Sequence, residues 1–305
     1  MIVMRWDRTL SLRLVHPLMK MGAAANRAAL PILMYHGISD DPEPGVPAYY
    51  RTNTGPARFE EHLHCLNARG FRSVTLDDAV SLLHRERAGQ EKLVVISFDD
   101  GFRDFYDVAF PLLKKHGHCA TVYLPAAFIG EDRRSFKNRE CLTWREVREL
   151  RAQGIRFGSH TASHPVLYEL SWREIEDELA VSRNQISRAL GEEITGFAYP
   201  YAFPQQDRQF TETFGRLLRR VGYQTSVTTM IGRAAPGDDW FCLKRLPVND
   251  GDDLDLFTAK LHGAYDWLAY PQGWYKSVRH QLGRTGRKKS NTGTMPPAAV
   301  RKVSL

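Results

Sequence analysis

Short apolar runs alternate with longer stretches of helical period along most of the chain. The apolar runs predict buried strands, and apolar residues spaced three or four apart predict helices that bury one face. This alternation is typical of βα units that build a parallel sheet. The predicted strands are residues 31–35, 71–75, 93–98, 120–124, 155–158, 196–199, 224–227 and 243–247.

Helices are predicted between these strands, and several have start or stop signals. Thr143 opens a T-W-R-E capping box. Gly70, Gly117, Gly154 and Gly222 each follow a predicted helix as a C-terminal stop. The predicted helices are residues 58–69, 76–87, 104–116, 143–153, 171–190, 207–221 and 253–268. Seven or eight such units predict an irregular α/β barrel, and the proline-rich residues 40–55 predict a long loop over one of its ends.

Composition and charge agree with a single globular domain. With 305 residues, 43% hydrophobic and 25% charged, the chain is neither collagen-like nor largely disordered. Residues 276–305 carry a net charge of +8 and residues 1–28 a net charge of +4, so the remainder of this +7 chain carries −5. We therefore expect no nucleic-acid partner. The basic ends could contact anionic lipid headgroups, but a basic run is more often simply solvated.

The two ends also define the expected domain limits. Residues 1–29 form a basic amphipathic extension, residues 30–275 the main folded domain, and residues 276–305 a disordered tail. Residues 9–21 fit a helix that either lies on a membrane surface or packs on its own domain. No apolar run approaches the roughly 20 residues that span a bilayer. A signal peptide is not expected, so the location is the cytoplasm or the periphery of the inner membrane, and the oligomeric state stays open.

Two constellations of polar residues point to metal-assisted chemistry. Asp99 and Asp100 end the apolar strand L-V-V-I-S-F, at the edge of a parallel sheet where ligands bind. One carboxylate can hold a cation while its neighbour takes a proton from a water. His160 and His164 follow another predicted strand, and a spacing of four on a helical turn suits one divalent metal. With Asp100 they make a two-histidine, one-carboxylate set.

A third element, F-A-Y-P-Y-A at residues 197–202, ends another predicted strand. The purely structural interpretation is a strand that ends at Pro200. Alternatively, backbone N–H groups beside an exposed Tyr201 could form one wall of the site and stabilise an oxyanion.

With these elements in this order, the chain resembles the polysaccharide deacetylases, also called the NodB homology domain or carbohydrate esterase family four. S-F-D-D-G, H-T-A-S-H and Y-P-Y match three motifs of that family. The resemblance implies a distorted (β/α) barrel with about seven parallel strands and one divalent metal, usually zinc. It also implies that Asp99 is the general base and that Asp100, His160 and His164 are the metal ligands. The implied substrate is an N-acetylated carbohydrate.

The chain departs from the family pattern at two positions. Ala198 stands where many members have the arginine that orients the catalytic aspartate. The late motif that supplies a general-acid histidine has no clean match, although K-R-L-P-V occupies its place. His36, at the end of the first predicted strand, is the candidate replacement acid, because poly-N-acetylglucosamine deacetylases have a similar Y-H motif. His262 is the next candidate.

Three functions remain open at this stage. The first is removal of N-acetyl groups from amino sugars. The second keeps the metal site but acts on a small cyclic amide or an O-acetyl ester. The third is a catalytically silent barrel that only binds carbohydrate. Aromatic candidates for stacking on a sugar are Trp144, Tyr199, Tyr201, Phe203, Trp240 and Trp267.

Overall fold

The computed structural model describes residues 5–21, 29–84 and 91–269. The main sheet has eight parallel strands, which are β1 (Ile32–Tyr35), β4 (Arg72–Ser73), β5 (Leu93–Phe98), β6 (Thr121–Leu124), β9 (Arg156–Ser159), β10 (Gly196–Ala198), β11 (Thr225–Ile231) and β12 (Leu243–Pro247). Seven of them close into a barrel in the order β1-β12-β11-β10-β9-β6-β5, because β1 pairs with both β12 and β5. The eighth strand, β4, lies beyond β5. The predicted α/β barrel is therefore confirmed, including its number of closing strands.

Helices follow most of the strands and cover the outside of the barrel. They are α3 (Pro56–Ala68), α4 (Leu76–His84), a π-helical turn (Phe105–Ala109) that continues into α5 (Phe110–His116), α6 (Trp144–Ala152), α7 (Trp172–Leu190), α8 (Arg208–Val221) and α9 (Leu254–Leu261). Short 3-10 turns lie at Ala48–Tyr50, Ala126–Phe128, Leu167–Glu169 and Asp266–Leu268. The capping box at Thr143 forms as predicted, and a second one forms at Ser171. No helix in the described ranges is long and apolar enough to cross a membrane.

Two small strand pairs lie at the end of the barrel where its parallel strands terminate. Strand β2 (Gly37–Ile38) lies just before the predicted loop 40–55 and pairs with β3 (Asn53–Thr54) near the end of that loop. Strands β7 (Ser135–Phe136) and β8 (Arg139–Glu140) form an antiparallel hairpin that the sequence patterns did not predict. Its turn, Lys137 and Asn138, has positive φ at both residues, as a two-residue hairpin turn of type I′ requires.

Residues 6–21 of the N-terminal extension are helical. Segments α1 (Trp6–Leu10) and α2 (His16–Met21) flank a π-helical turn at Ser11–Val15 and form one continuous rod. The rod packs against the end of α9 and the residues after it, where Tyr265 Oη donates to Asp7 and Trp267 Nε1 donates to Ser11 Oγ. The predicted disordered tail, residues 276–305, lies outside the described residues.

Alternation along each strand divides the apolar core into two clusters. Residues on one face of the strands pack under the helices, and residues on the other face fill the barrel. Inside the barrel, Tyr123 on β6 lies opposite Gly158 on β9 in the strand register. A Cβ atom on Gly158 would lie 2.5 Å from the Tyr123 ring. Glycine at this position therefore makes room for the tyrosine that fills the barrel centre.

This packing predicts that Gly158→Ala is destabilising, because the added Cβ atom would lie 2.5 Å from the Tyr123 ring and 2.9 Å from the backbone carbonyl oxygen of Gly196. We expect a loss of about 1–3 kcal/mol in the free energy of unfolding, as for other overpacked cores. Urea unfolding measures the change.

Gly215→Ala in α8 is the matched control. A Cβ there meets only Phe241, at an ordinary 3.7 Å, so the higher helix propensity of alanine should leave stability unchanged or slightly raised. Equal effects of the two substitutions would contradict the packing of Tyr123.

Candidate active site

The candidate site lies at the barrel end where the parallel strands terminate. Asp99 and Asp100 follow β5, His160 follows β9, and Tyr201 comes shortly after β10. His36 follows β1, so it enters from the neighbouring strand. Because all these strands are parallel, their carboxyl ends open on one mouth, and side chains far apart in sequence meet there.

Asp100, His160 and His164 form a compact buried group. His164 Nε2 lies 3.2 Å from Asp100 Oδ1 and 3.2 Å from His160 Nε2, and His160 Nε2 lies 3.7 Å from the same carboxylate oxygen. One ligand atom from each residue lies within 4.8 Å of the others. The sequence predicted these three residues as a set, and the fold brings them together.

The protonation of His160 makes this group suitable for a cation. Its Nδ1 lies 2.8 Å from the carbonyl oxygen of Ala198, which can only accept, so Nδ1 donates the proton. Burial lowers the pKa of His160 to about 4, so the ring is neutral at pH 7. Its Nε2 therefore presents a lone pair toward His164 Nε2 and Asp100. Two imidazole nitrogens and a carboxylate oxygen arranged in this way fit a divalent metal such as zinc.

The backbone between the two histidines differs from the prediction. Spacing alone indicated a helical turn, but residues 160–165 form an irregular loop in which Thr161 and His164 have positive φ. Asp100 and Tyr201 also have positive φ. Such backbone is costly for residues other than glycine and is commonly found at functional sites. Loop geometry, and not helical periodicity, therefore brings the two rings together.

Asp99 is held by an arginine that the sequence analysis missed. Arg245 on β12 is fully buried and makes two bonds of 2.7 Å to Asp99, one to each carboxylate oxygen. Its Nε also donates to the carbonyl oxygen of Thr228. Burial alone would raise the pKa of Asp99, but the Arg245 charge outweighs it and holds this pKa below its usual range. The carboxylate is thus ionised and fixed in orientation.

Comparison with known proteins identifies the family. The family model described as polysaccharide deacetylase matches residues 86–226. The putative polysaccharide deacetylase YxkH of Bacillus subtilis is 31% identical over 232 residues, which cover 76% of each chain. This chain belongs to the polysaccharide deacetylase family.

Other members of the family are similar over most of the barrel. Poly-beta-1,6-N-acetyl-D-glucosamine N-deacetylase of Staphylococcus aureus is 22% identical over 205 residues, covering 64% of this chain and 67% of that protein. The Streptococcus pyogenes deacetylase PplD superposes with a TM-score of 0.67 at 25% identity, over 76% of this chain and 98% of that one. IcaB from Ammonifex degensii superposes with a TM-score of 0.62 at 26% identity, over 77% of this chain and 97% of that one.

For a polysaccharide deacetylase, the Asp99–Arg245 pair resolves the first departure from the family motifs. Ala198 provides a carbonyl oxygen to His160 instead of an arginine side chain. Arg245 supplies the guanidinium from the K-R-L-P-V strand. The position of Arg245 could have been inferred from the sequence, because residues two apart on a strand lie on the same face. Arg245 lies two residues after Leu243 and therefore faces the barrel interior with it.

The mouth of the candidate site is lined by the β7–β8 hairpin. Lys137 at its turn places Nζ 2.9 Å from Asp100 Oδ2, and 4.7 Å and 5.7 Å from the ring centres of Phe136 and Tyr201. The Tyr201 ring also meets the His164 ring edge-on at 4.6 Å. Among the aromatic candidates for sugar stacking, Tyr201 is 47% exposed, whereas Tyr199 and Phe203 are core residues.

The two histidine candidates for the acid lie in different places. His36 is half-buried beside the carboxylates, and burial lowers its pKa although Asp100 and Asp99 act to raise it. His262 ends α9, with its ring 5.8 Å from that of His16 on the N-terminal rod. The structure therefore favours His36 over His262 as a residue of the site.

The buried ion pair predicts a pH-dependent effect of Arg245→Met. Without the guanidinium, burial of Asp99 is unopposed, and we expect a loss of about 3–5 kcal/mol at pH 7. In the variant, the pKa of Asp99 in the folded state rises above its ordinary value. Protonation then relieves the buried charge, so the deficit narrows as the pH falls through that raised pKa. Urea unfolding at several pH values measures this.

Arg220→Met is the control for this experiment, because Arg220 pairs with Glu176 on the exposed surface. Its effect should stay within about 0.5 kcal/mol. A deficit of Arg245→Met that does not change with pH would show that Arg245 acts through packing and not through the charge of Asp99.

Proposed function

We propose that this chain is a metal-dependent hydrolase that removes N-acetyl groups from the amino sugars of a polysaccharide or oligosaccharide. The observation that carries the proposal is the Asp100, His160 and His164 group beside an ionised Asp99 fixed by Arg245. An intact base and an intact ligand set argue against a silent carbohydrate-binding barrel. The relative named poly-beta-1,6-N-acetyl-D-glucosamine N-deacetylase supports an N-acetylated sugar as substrate.

Asp100, His160 and His164 would hold the metal in the catalytic domain proposed for residues 30–275. When bound, a divalent metal lowers the pKa of a water molecule and polarises a carbonyl group. Three protein ligands would leave a position for water or substrate on a metal such as zinc, as in other catalytic zinc sites.

Asp99 would then act as the general base. Its low pKa keeps it ionised at neutral pH, and Arg245 fixes its direction, so it accepts a proton from the attacking water. His160 Nε2 lies 3.9 Å from Asp99 Oδ2, so the base and the ligand group are in contact distance. A backbone N–H near Tyr201 would stabilise the oxyanion that forms on the acetyl carbon.

His36 would give a proton to the departing amine. It lies in the same mouth and has a lowered pKa, so its protonated form is less abundant but donates more readily. Hydrolysis then yields acetate and a free amino sugar. An oligomer of N-acetylglucosamine is the test substrate, and the alternatives predict release of acetate from an ester, or ring opening of a cyclic amide, instead.

The different roles of two adjacent aspartates predict different effects of the same substitution. Asp99→Asn should abolish acetate release from the oligomer and keep about one metal per chain, because Asp99 is the base and not a required ligand. Asp100→Asn should lose the metal and the activity together, because it removes a ligand. Elemental analysis and acetate release measure both.

Each variant serves as the matched control of the other, since both change one buried carboxylate to an amide. An active Asp99→Asn variant would contradict the proposed mechanism. Unchanged metal content in Asp100→Asn would contradict the proposed ligand set.

The acid role of His36 predicts that two substrates respond differently to His36→Ala. An amine is a poor leaving group without a proton, whereas an activated acetate ester releases a good one. N-deacetylation should fall by about 10²–10⁴-fold, while ester hydrolysis and metal content stay nearly unchanged. Steady-state rates on both substrates measure the difference.

His64→Ala is the control, because His64 is exposed on α3, outside the group of site residues. Equal loss on both substrates with release of the metal would make His36 a ligand or a structural residue. No loss on either substrate would move the acid role elsewhere.

A further inference from the structure

The N-terminal rod, residues 6–21, presents an apolar face to solvent. Trp6, Leu10, Leu14 and Leu18 are 71%, 37%, 52% and 58% exposed. They recur every four residues, so they lie along one side of the rod over about 18 Å, at about 1.5 Å per residue. The wider π-helical turn at Ser11–Val15 advances less per residue than an α-helix and so reduces the drift of this row around the axis.

The opposite face of the rod is the one fixed to the domain. Arg5 Nη1 donates to the carbonyl oxygen of Gly251 at 2.9 Å, and Arg8 pairs with Asp253. Ser11 is fully buried, and its hydroxyl accepts from Trp267. A helix that only packs on its own domain buries its apolar stripe and exposes its polar side. Here Leu12, Val15 and Met19 are half-buried beside the polar contacts, and a second apolar row faces outward.

The exposed face is cationic as well as apolar. Its exposed residues are Trp6, Leu10, Arg13, Leu14, Pro17 and Leu18. The acidic residue of the rod, Asp7, is turned inward and paired with Arg5 at 2.7 Å. Residues 1–28 carry a net charge of +4, whereas residues 29–275 carry −5. The positive charge is thus concentrated at the two ends of the chain, and the N-terminal end also carries the apolar face.

We propose that this face binds the surface of an anionic phospholipid bilayer. Trp6 and the three leucines would enter the boundary between headgroups and acyl chains, and Arg13 would contact a headgroup phosphate. A second copy of the chain fits less well. The four apolar side chains expose on the order of 400 Å², whereas a stable interface buries about 800 Å² per partner.

The attachment of the rod also orients the barrel. Gly251, which accepts from Arg5, lies in the loop after β12, at the end of the barrel that carries the site. Asn249 in the same loop donates to the carbonyl oxygen of Ala48, close to Tyr50, which is 61% exposed. Membrane binding would therefore hold the site mouth near the bilayer. This consequence, but not the binding itself, rests on the proposed function.

Vesicle sedimentation with the full chain tests the proposal. We expect binding to vesicles of phosphatidylcholine with about one third phosphatidylglycerol, and weaker binding to phosphatidylcholine alone. The double variant Leu14→Ser, Leu18→Ser should bind the anionic vesicles about 10- to 100-fold more weakly, because two apolar anchors are lost. The matched control Val166→Ser, Val181→Ser changes two exposed apolar residues elsewhere and should bind like the parent chain.

Three results would overturn the proposal. Unchanged binding by the leucine double variant would assign lipid binding to the basic residues 276–305, which all variants retain. A dimer of the parent chain that the leucine substitutions dissociate, seen by sedimentation velocity, would make the face a contact between copies. Absence of binding to anionic vesicles would exclude the bilayer. Deacetylation of a soluble oligomer by both double variants separates these outcomes from a failure of the proposed function.

Discussion

The bidentate pair between Asp99 and Arg245 is the constraint on which the site depends. It joins β5 to β12 inside the closed barrel, between residues 146 positions apart in the chain. A carboxylate buried there without a partner would become neutral, because desolvation disfavours its charge. With the guanidinium it stays ionised and points into the mouth, beside the three residues that form the candidate metal site. Below these polar residues, Tyr123 packs in the apolar cluster of the barrel interior.

Much of this fold could be predicted from the sequence because its signals are local. The strands 93–98 and 243–247 coincide with the observed β5 and β12. The polar residues Asp99, Asp100 and His160 stand at strand ends, where a parallel barrel must open. Family motifs then related these positions to one another, and the comparisons confirm the family. The assignment of individual roles stays a prediction that the experiments above address.

What the sequence did not show is set by contacts across the fold. Ala198 left the orientation of Asp99 unexplained, because the arginine that replaces the motif residue lies on a different strand. The hairpin that carries Lys137 is too short for a periodic pattern. Residues 9–21 predicted an amphipathic helix, but which side faces the barrel depends on partners such as Tyr265 and Trp267, which lie far along the chain.

The proposed function requires one metal, held by Asp100, His160 and His164, for N-deacetylation. The direct measurement is acetate release from an N-acetylglucosamine oligomer while zinc is added back to chelator-treated protein. Metal-dependent N-deacetylation predicts no activity without metal, a rate that rises linearly with added zinc, and saturation at one equivalent per chain. Full activity in protein that elemental analysis shows to be free of metal would contradict it.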